Sequence, residues 1–184
     1  MKKKKINEIF YSLQGEGMHT GTPAVFVRFS GCNLHCPFCD TRHEEGTWMS
    51  NEEIVEAVKR HPCRFVILTG GEPSLQIDED LLHRLHDAGR YICIETNGTH
   101  PLPAGIDWVT CSPKGDAPVV LERMDEVKVV YTGQDVEACH EQLKADRYSL
   151  QPCSGRNIAE TVAYILAHPW WRLSLQTHKL IDIR

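Results

Sequence analysis

An α/β fold, trimmed to a partial (β/α) barrel on a mainly parallel sheet, is what this 184-residue sequence predicts, from three observations. Short β-branched or aromatic runs alternate with amphipathic helical segments, the order that parallel βαβ units require. Several of those runs are apolar almost throughout, as strands covered on both faces are. Two of the intervals between runs are too short for a crossover helix, which truncates a full barrel. A doubly wound open sheet would give much the same order of segments.

The predicted strands are AVFVRF (24–29), RFVIL (64–68), YICIE (91–95), DWVTC (107–111), EVKVVY (126–131), YSLQ (148–151) and WRLSL (171–175). Ser50 and Glu53 have the spacing of a capping box, which opens a helix running to about Arg60. Asp78 to Ala88 has helical periodicity and is closed by Gly89, a residue that tolerates the left-handed turn past a helix end. Gln134 to Ala145 and Asn157 to Ala167 complete the helices. The two short intervals follow YICIE and DWVTC. No linker or repeat interrupts this rhythm, so residues 1–184 are expected to form one domain.

With 41% hydrophobic residues the chain can bury a core without disulfides. No apolar run approaches the roughly 20 residues of a membrane span, and the start MKKKKINEIF lacks the apolar centre of a signal peptide. A soluble, cytoplasmic protein is expected, without membrane or nucleic-acid partners. The net charge of −5 argues against a nonspecific grip on nucleic acid, and Lys2 to Lys5 reads as a solvated, frayed end. In a reducing compartment the eight cysteines do not read as a disulfide framework. Cys63, Cys93, Cys111 and Cys139 are scattered and read as core thiols.

Polar and Gly/Pro-rich groups follow nearly every strand: Ser30, Gly31 and a cysteine loop, TGGEP (69–73), TNG (96–98), SPK (112–114), QPCSG (151–155) and QTHK (176–179). In parallel α/β architectures the carboxyl ends of the strands face one crevice, and ligands bind there. Loops are polar in general, but six compact ones at one end point to a site.

The loop GCNLHCPFCDT (31–41) carries Cys32, Cys36 and Cys39. A structural zinc site wants four ligands, and no second CxxC pair exists, although His35 or His43 could serve as the fourth. An iron-sulfur cube held by three thiolates leaves one iron open to a small molecule, which suits chemistry better than electron storage.

These cysteines, with spacings of three and two residues and Phe38 just before the last, resemble the cluster loop of the radical S-adenosylmethionine (radical SAM) superfamily. GGEP (70–73) resembles the superfamily segment that receives the amino group of the methionine moiety. YSLQGEG (11–17), Arg28, CDT (39–41), LTGGEP (68–73), CSPK (111–114) and LQTHK (175–179) together resemble the 7-carboxy-7-deazaguanine synthase family, from Ile6 to about Lys179. The resemblance implies a reduced radical SAM barrel and a homodimer. It implies a carbon-nitrogen lyase of queuosine and 7-deazapurine biosynthesis, converting 6-carboxy-5,6,7,8-tetrahydropterin to 7-carboxy-7-deazaguanine with loss of ammonia.

The residue roles it implies can be stated one by one. Cys32, Cys36 and Cys39 hold a 4Fe-4S cluster, and Thr41 is a ligand of Mg2+. Phe38, Cys39 and Asp40 contact the adenosyl side of S-adenosylmethionine and Gly71 its methionine side. Ser112, Pro113 and Lys114, with Gln151, Pro152, Cys153 and Ser154, form two further cofactor-binding segments. Leu13, Gln14, Gly15, Arg28 and Thr69 contact the pterin. Arg28 can also clamp a carboxylate in bidentate fashion, or pair with Glu16 or Glu72. A flavodoxin- or ferredoxin-type electron donor is implied. No catalytic base is assignable from the sequence.

Some residues fall outside these roles. Relatives can end in a proline whose carboxylate reaches the substrate, whereas this chain ends in Arg184. Trp170 and Trp171 could stack on a ligand, but beside Pro169 they read better as core or dimer contacts. His178 and Lys179 are expected at the mouth of the site. Two other readings of the cysteine loop are an activase that places a radical on a glycine of a partner enzyme, and a zinc-binding module without chemistry.

Overall fold

The computed structural model describes residues 3–39, 41 and 44–184. Among the described residues nine strands form one sheet: β1 (Lys4–Leu13), β2 (Pro23–Phe29), β3 (Thr47–Met49), β4 (Phe65–Gly70), β5 (Tyr91–Thr96), β6 (Trp108–Cys111), β7 (Met124–Tyr131), β8 (Ala145–Pro152) and β9 (Trp171–Leu173). Their order across the sheet is β3-β1-β2-β4-β5-β6-β7-β8-β9, and the sheet does not close. From β2 to β9 every neighbouring pair is parallel, while β1 runs antiparallel to both β2 and β3. The fold is therefore α/β with a trimmed, open barrel sheet. Among the described residues no helix is long and apolar enough to cross a membrane.

One face of the sheet is covered by helices α1 (Asn51–Lys59), α2 (Glu79–Asp87), α3 (Glu137–Gln142) and α4 (Ile158–Ala167). A last short helix, α5 (Thr177–Leu180), follows β9. The capping box of α1 forms as its sequence spacing predicts. Ser50 Oγ accepts from the Glu53 amide (3.2 Å), and Glu53 Oε2 accepts from the Ser50 amide (2.7 Å). Asp78 caps α2, and Gly89 behind it takes φ +72°. Ile54, Val58, Leu81, Leu82 and Leu85 then bury fully against Val25, Val27, Val66, Leu68, Ile92 and Ile94 of the sheet. A second cluster joins Val127, Val129, Leu150 and Trp171.

All seven predicted strands are present, and no helix stands between β5 and β6 or between β6 and β7. Three expectations need correction. First, Lys4 and Lys5 belong to β1 and are not frayed: Lys4 is 1% exposed and its Nζ donates to Asp78 (2.6 Å). Four lysines in a row hide a strand, because a long stem can lie along apolar surface while its ammonium reaches a carboxylate at the edge. β3 had no predicted counterpart either. Second, the double apolar covering holds for β2 and β4, where Ala24, Phe26 and Ile67 bury on the concave side as well, but it does not extend across the sheet. β5 and β7 alternate, with Ile92, Ile94, Val127 and Val129 under helices and Cys93, Glu95, Glu126 and Lys128 on the opposite, concave face. Third, α3 spans only six residues and has no side-chain cap, where residues 134–145 had been expected to be helical.

Candidate active site

The concave face opens at the carboxyl ends of the parallel strands into a cavity of about 530 Å³. The cysteine loop stands at its rim, and neighbouring backbone fixes the base of that loop. The Gly71 amide donates to Phe29 O (2.9 Å), the Glu72 amide to Gly31 O (2.8 Å) and Gln76 Nε2 to Ser30 O (2.6 Å). A Cβ at Gly71 would lie 1.9 Å from Gly31 O, and Gly70 takes φ +123°. The glycines of GGEP are thus needed where two backbone segments cross, whatever ligand approaches afterwards.

Glu72 follows directly and is 1% exposed. Its carboxylate accepts from Thr96 Oγ1 (2.7 Å), the Asn97 amide (2.7 Å) and the Ser74 amide (3.0 Å). Asn97 Nδ2 in turn donates to Asn33 Oδ1 (3.1 Å) inside the cysteine loop. GGEP and TNG are therefore one hydrogen-bonded unit that supports the loop. Within the loop the Cys39 amide donates to Cys36 O (3.1 Å) and the Leu34 amide to Cys32 Sγ (3.4 Å). Burial pushes the Cys32 thiol up, and the nearby Cys36 and Cys39 add to the shift.

Among the described residues no three His, Cys, Asp or Glu side chains gather as ligands of a single ion would. Cys32, Cys36 and Cys39 all line the cavity. Thiolates suit both zinc and iron-sulfur clusters, and three of them on one cube leave one iron open to a ligand. Across the rim Lys114 Nζ donates to Ser112 Oγ (2.6 Å) and lies 5.7 Å from the centre of the Phe38 ring. Burial first, and Lys128 second, pull the Lys114 ammonium below its ordinary range.

Further in, Lys128 Nζ donates to Glu16 Oε2 (2.7 Å) and Glu95 Oε2 (2.9 Å). Gln176 Nε2 donates to Glu16 Oε1 (2.8 Å), and Gln14 Nε2 to Glu95 Oε1 (3.3 Å). Burial opposes ionisation of Glu16, but the Lys128 ammonium and the hydrogen bonds from Lys128 and Gln176 overcome it and hold the carboxyl at about 2. Burial prevails at Glu95 and raises it. At Lys128 burial is outweighed by the two carboxylates, which hold the ammonium charged and raise its pKa.

At the β1–β2 corner Glu8 is the cross-strand partner of Arg28. Arg28 Nε donates to Glu8 Oε1 (2.8 Å) and Nη1 to Thr41 Oγ1 (3.5 Å). Its partner is thus neither Glu16 nor Glu72. The Arg184 guanidinium reaches the same Glu8.

The cavity is lined by Leu13, Gln14, Gly15, Arg28, Thr41 and Thr69, by Phe38 and Gly71, by Ser112 and Lys114, and by Gln151, Pro152, Cys153 and Ser154. Pro113 does not line it, and Asp40 and His43 lie outside the described residues. His178 lines it with its ring against Gly15, whereas Lys179 does not. Trp171 is core and Trp170 is exposed, stacked on His140. Glu8, Glu16, Glu95, Lys128 and Gln176 were not singled out as site residues. The signal that could have found Glu95 and Lys128 is charge at alternate positions of otherwise apolar strands, in YICIE and EVKVVY.

An open parallel sheet with three thiols on the loop after its first parallel strand defines a radical SAM protein, and residues 26–165 match the Radical SAM superfamily. The chain belongs to the 7-carboxy-7-deazaguanine synthase family of that superfamily. It is 66% identical over 181 residues to the 7-carboxy-7-deazaguanine synthase of Bacteroides thetaiotaomicron, covering 98% of this chain and 99% of that one. It is 42% identical over 207 residues to the protein of the same name from Bradyrhizobium diazoefficiens, covering 97% and 98%. The crystal structure of QueE from Escherichia coli superposes with a TM-score of 0.80 at 33% identity, covering 94% of this chain and 93% of that one. Membership of the superfamily implies a 4Fe-4S cluster and S-adenosylmethionine. It sets aside the zinc module, and the relatives favour this family over the activases.

Proposed function

We propose that this chain converts 6-carboxy-5,6,7,8-tetrahydropterin to 7-carboxy-7-deazaguanine with loss of ammonia. The observation that carries the reading is that one cavity joins the three rim thiols to the Arg28–Thr41 pair, in a chain 66% identical to a 7-carboxy-7-deazaguanine synthase. Cys32, Cys36 and Cys39 hold the cluster, which when bound supplies the electron that turns S-adenosylmethionine into a hydrogen-abstracting radical source. Ser112 and Lys114 on one side, with Gln151 to Ser154 on the other, bind that cofactor. Gly71 shapes its methionine end.

The pterin lies deeper. Arg28 clamps its carboxylate, and Leu13, Gln14, Gly15 and Thr69 shape the walls of its pocket. The Glu95 carboxylate and Gln14 amide suit its amino-oxo edge, with Lys128 holding both glutamates in place. Thr41 faces the same carboxylate, so substrate oxygens would complete a Mg2+ site that needs little else from the protein, because Mg2+ keeps hard oxygens and water in its shell. The walls exclude water from the reacting ring while it contracts. The protein works as a single domain in the cytoplasm, as a homodimer, with a flavodoxin or ferredoxin supplying electrons.

The test is an anaerobic assay of reconstituted, reduced protein with S-adenosylmethionine, Mg2+ and the pterin, following product by mass. Product in excess of cofactor consumed is expected. Formation of 5′-deoxyadenosine with the pterin intact would sink the substrate assignment.

A further inference from the structure

We propose that Arg184 is a second carboxylate-binding cation of the cavity, held beside Arg28 by Glu8 so that the two guanidiniums form one clamp. The proposal rests on the pterin reading above and extends it to a residue for which that reading has no role.

Glu8 divides its two oxygens. Oε1 accepts from Arg28 Nε (2.8 Å) and Oε2 accepts from Arg184 Nη2. Both guanidiniums also lie over the same ring, Phe10, with Arg28 Cζ 5.6 Å and Arg184 Cζ 4.8 Å from its centre. That ring is stacked on Phe26 at 4.8 Å and cannot easily turn away. The backbone brings Arg184 here by defined contacts. Ser12 Oγ of β1 donates to Arg184 O (2.5 Å), and the Ile183 amide donates to His178 O (3.0 Å).

Both arginines line the cavity, and Thr41 marks the side on which Arg28 points inward. Glu8 holds the two guanidiniums side by side, so that together they offer a ligand carboxylate a pair of planar donors. Each guanidinium has five N–H donors and gives one to Glu8, so both keep donors for a planar anion. Glu8 is then a positioning residue. The Arg184 side chain is 67% exposed, which fits a lip that closes on a ligand better than a structural pair.

The test uses reconstituted holoenzyme under anaerobic calorimetry, titrated with 7-carboxy-7-deazaguanine and with 7-deazaguanine, which lacks the carboxylate. Arg184→Gln is expected to weaken the carboxylated ligand about tenfold and the other less than about twofold, and Arg184→Lys to recover part of the loss. Equal weakening of both ligands would make Arg184 structural, and no change in either would remove it from the site; each outcome overturns the proposal while leaving the proposed function standing. Wild-type protein that binds neither ligand would overturn both.

Discussion

On the helix-covered face β4 presents Val66 and Leu68, β5 Ile92 and Ile94, and β7 Val127 and Val129, none more than 4% exposed. The same strands turn Ile67 and Thr69, Cys93 and Glu95, and Glu126 and Lys128 to the concave face. The two sets differ only in parity along the strand. One face is uniform and closed by helices, two of which, α1 and α2, carry side-chain caps. The other is graded, from stacked Phe10 and Phe26 near β1 and β2 to a buried charge network near β5 and β7. Stability and chemistry are thus written into alternate residues of one sheet, and changes on the two faces should separate experimentally.

Lys128→Met should have the largest effect. It leaves Glu16 and Glu95 facing each other without their cation, which costs roughly 3–5 kcal/mol for a buried pair and misplaces Gln14 and Gln176. A loss of at least about a hundredfold in kcat/KM is expected from the disturbed wall. Adding Glu16→Gln and Glu95→Gln should return much of the stability but not the turnover. If urea midpoint and turnover both recovered in the triple variant, the concave network would be scaffold only.

Leu82→Ala tests the opposite face. Leu82 is fully buried on α2, and truncating its isobutyl group to methyl should cost about 2–5 kcal/mol through lost transfer energy and the cavity left behind. Turnover per folded molecule should stay near wild type. A fall in kcat at temperatures where the variant is fully folded would show that the helix layer shapes the cavity.

The two faces also differ in how far the sequence disclosed them. Helix-side structure announced itself through local chemistry: the Ser50–Glu53 pair, Gly89, and the β-branched runs. The concave side depended on residues far apart in sequence, so Glu16, Glu95 and Lys128 showed only as charges at odd places. The family resemblance named the loops, yet it could not reveal that Gly71 answers to Gly31 O or that Arg28 pairs with Glu8. β1 escaped because a lysine run looks solvated until a distant Asp78 supplies its partner.

Acid should act on the concave face through opposed titrations. Glu16 has its folded pKa lowered from 4.5 to about 2, so its contribution is present above 4.5 and is lost as pH falls towards about 2. Glu95 is raised, so its ionised form costs stability at neutral pH and protonation on the way down relieves that cost. The Glu16 part amounts to roughly 2 kcal/mol after allowing for partial exposure. Wild type and Glu16→Gln should therefore differ in urea midpoint at pH 6, keep part of that gap at pH 3 and converge only as pH approaches about 2. A gap independent of pH would mean that Glu16 is not paired as an anion.

The smallest effect expected is that of Ser50→Ala, about 1 kcal/mol for loss of an N-cap, with kcat and KM unchanged. Its interest lies in a polar chain of contacts that could carry it across the sheet. Beside the cap, Asn51 Nδ2 donates to Asp78 Oδ1 (3.0 Å), and Asp78 Oδ2 accepts from Lys4 Nζ (2.6 Å) on β1. β1 is also the strand that presents Glu8 and Phe10 to the cavity. If the α1 end frays without the cap, Asn51 loosens first, and Asp78 retains Lys4 and its own α2 amide, Leu81 N (3.0 Å). The strand should therefore hold its register, because each of its contacts to β2 is independent of Asn51. A rise in KM in Ser50→Ala, measured at a temperature where the protein is fully folded, would show that the Asn51–Asp78–Lys4 chain transmits strain from the helix layer to the carboxylate clamp, and the separation of the two faces would fail at β1.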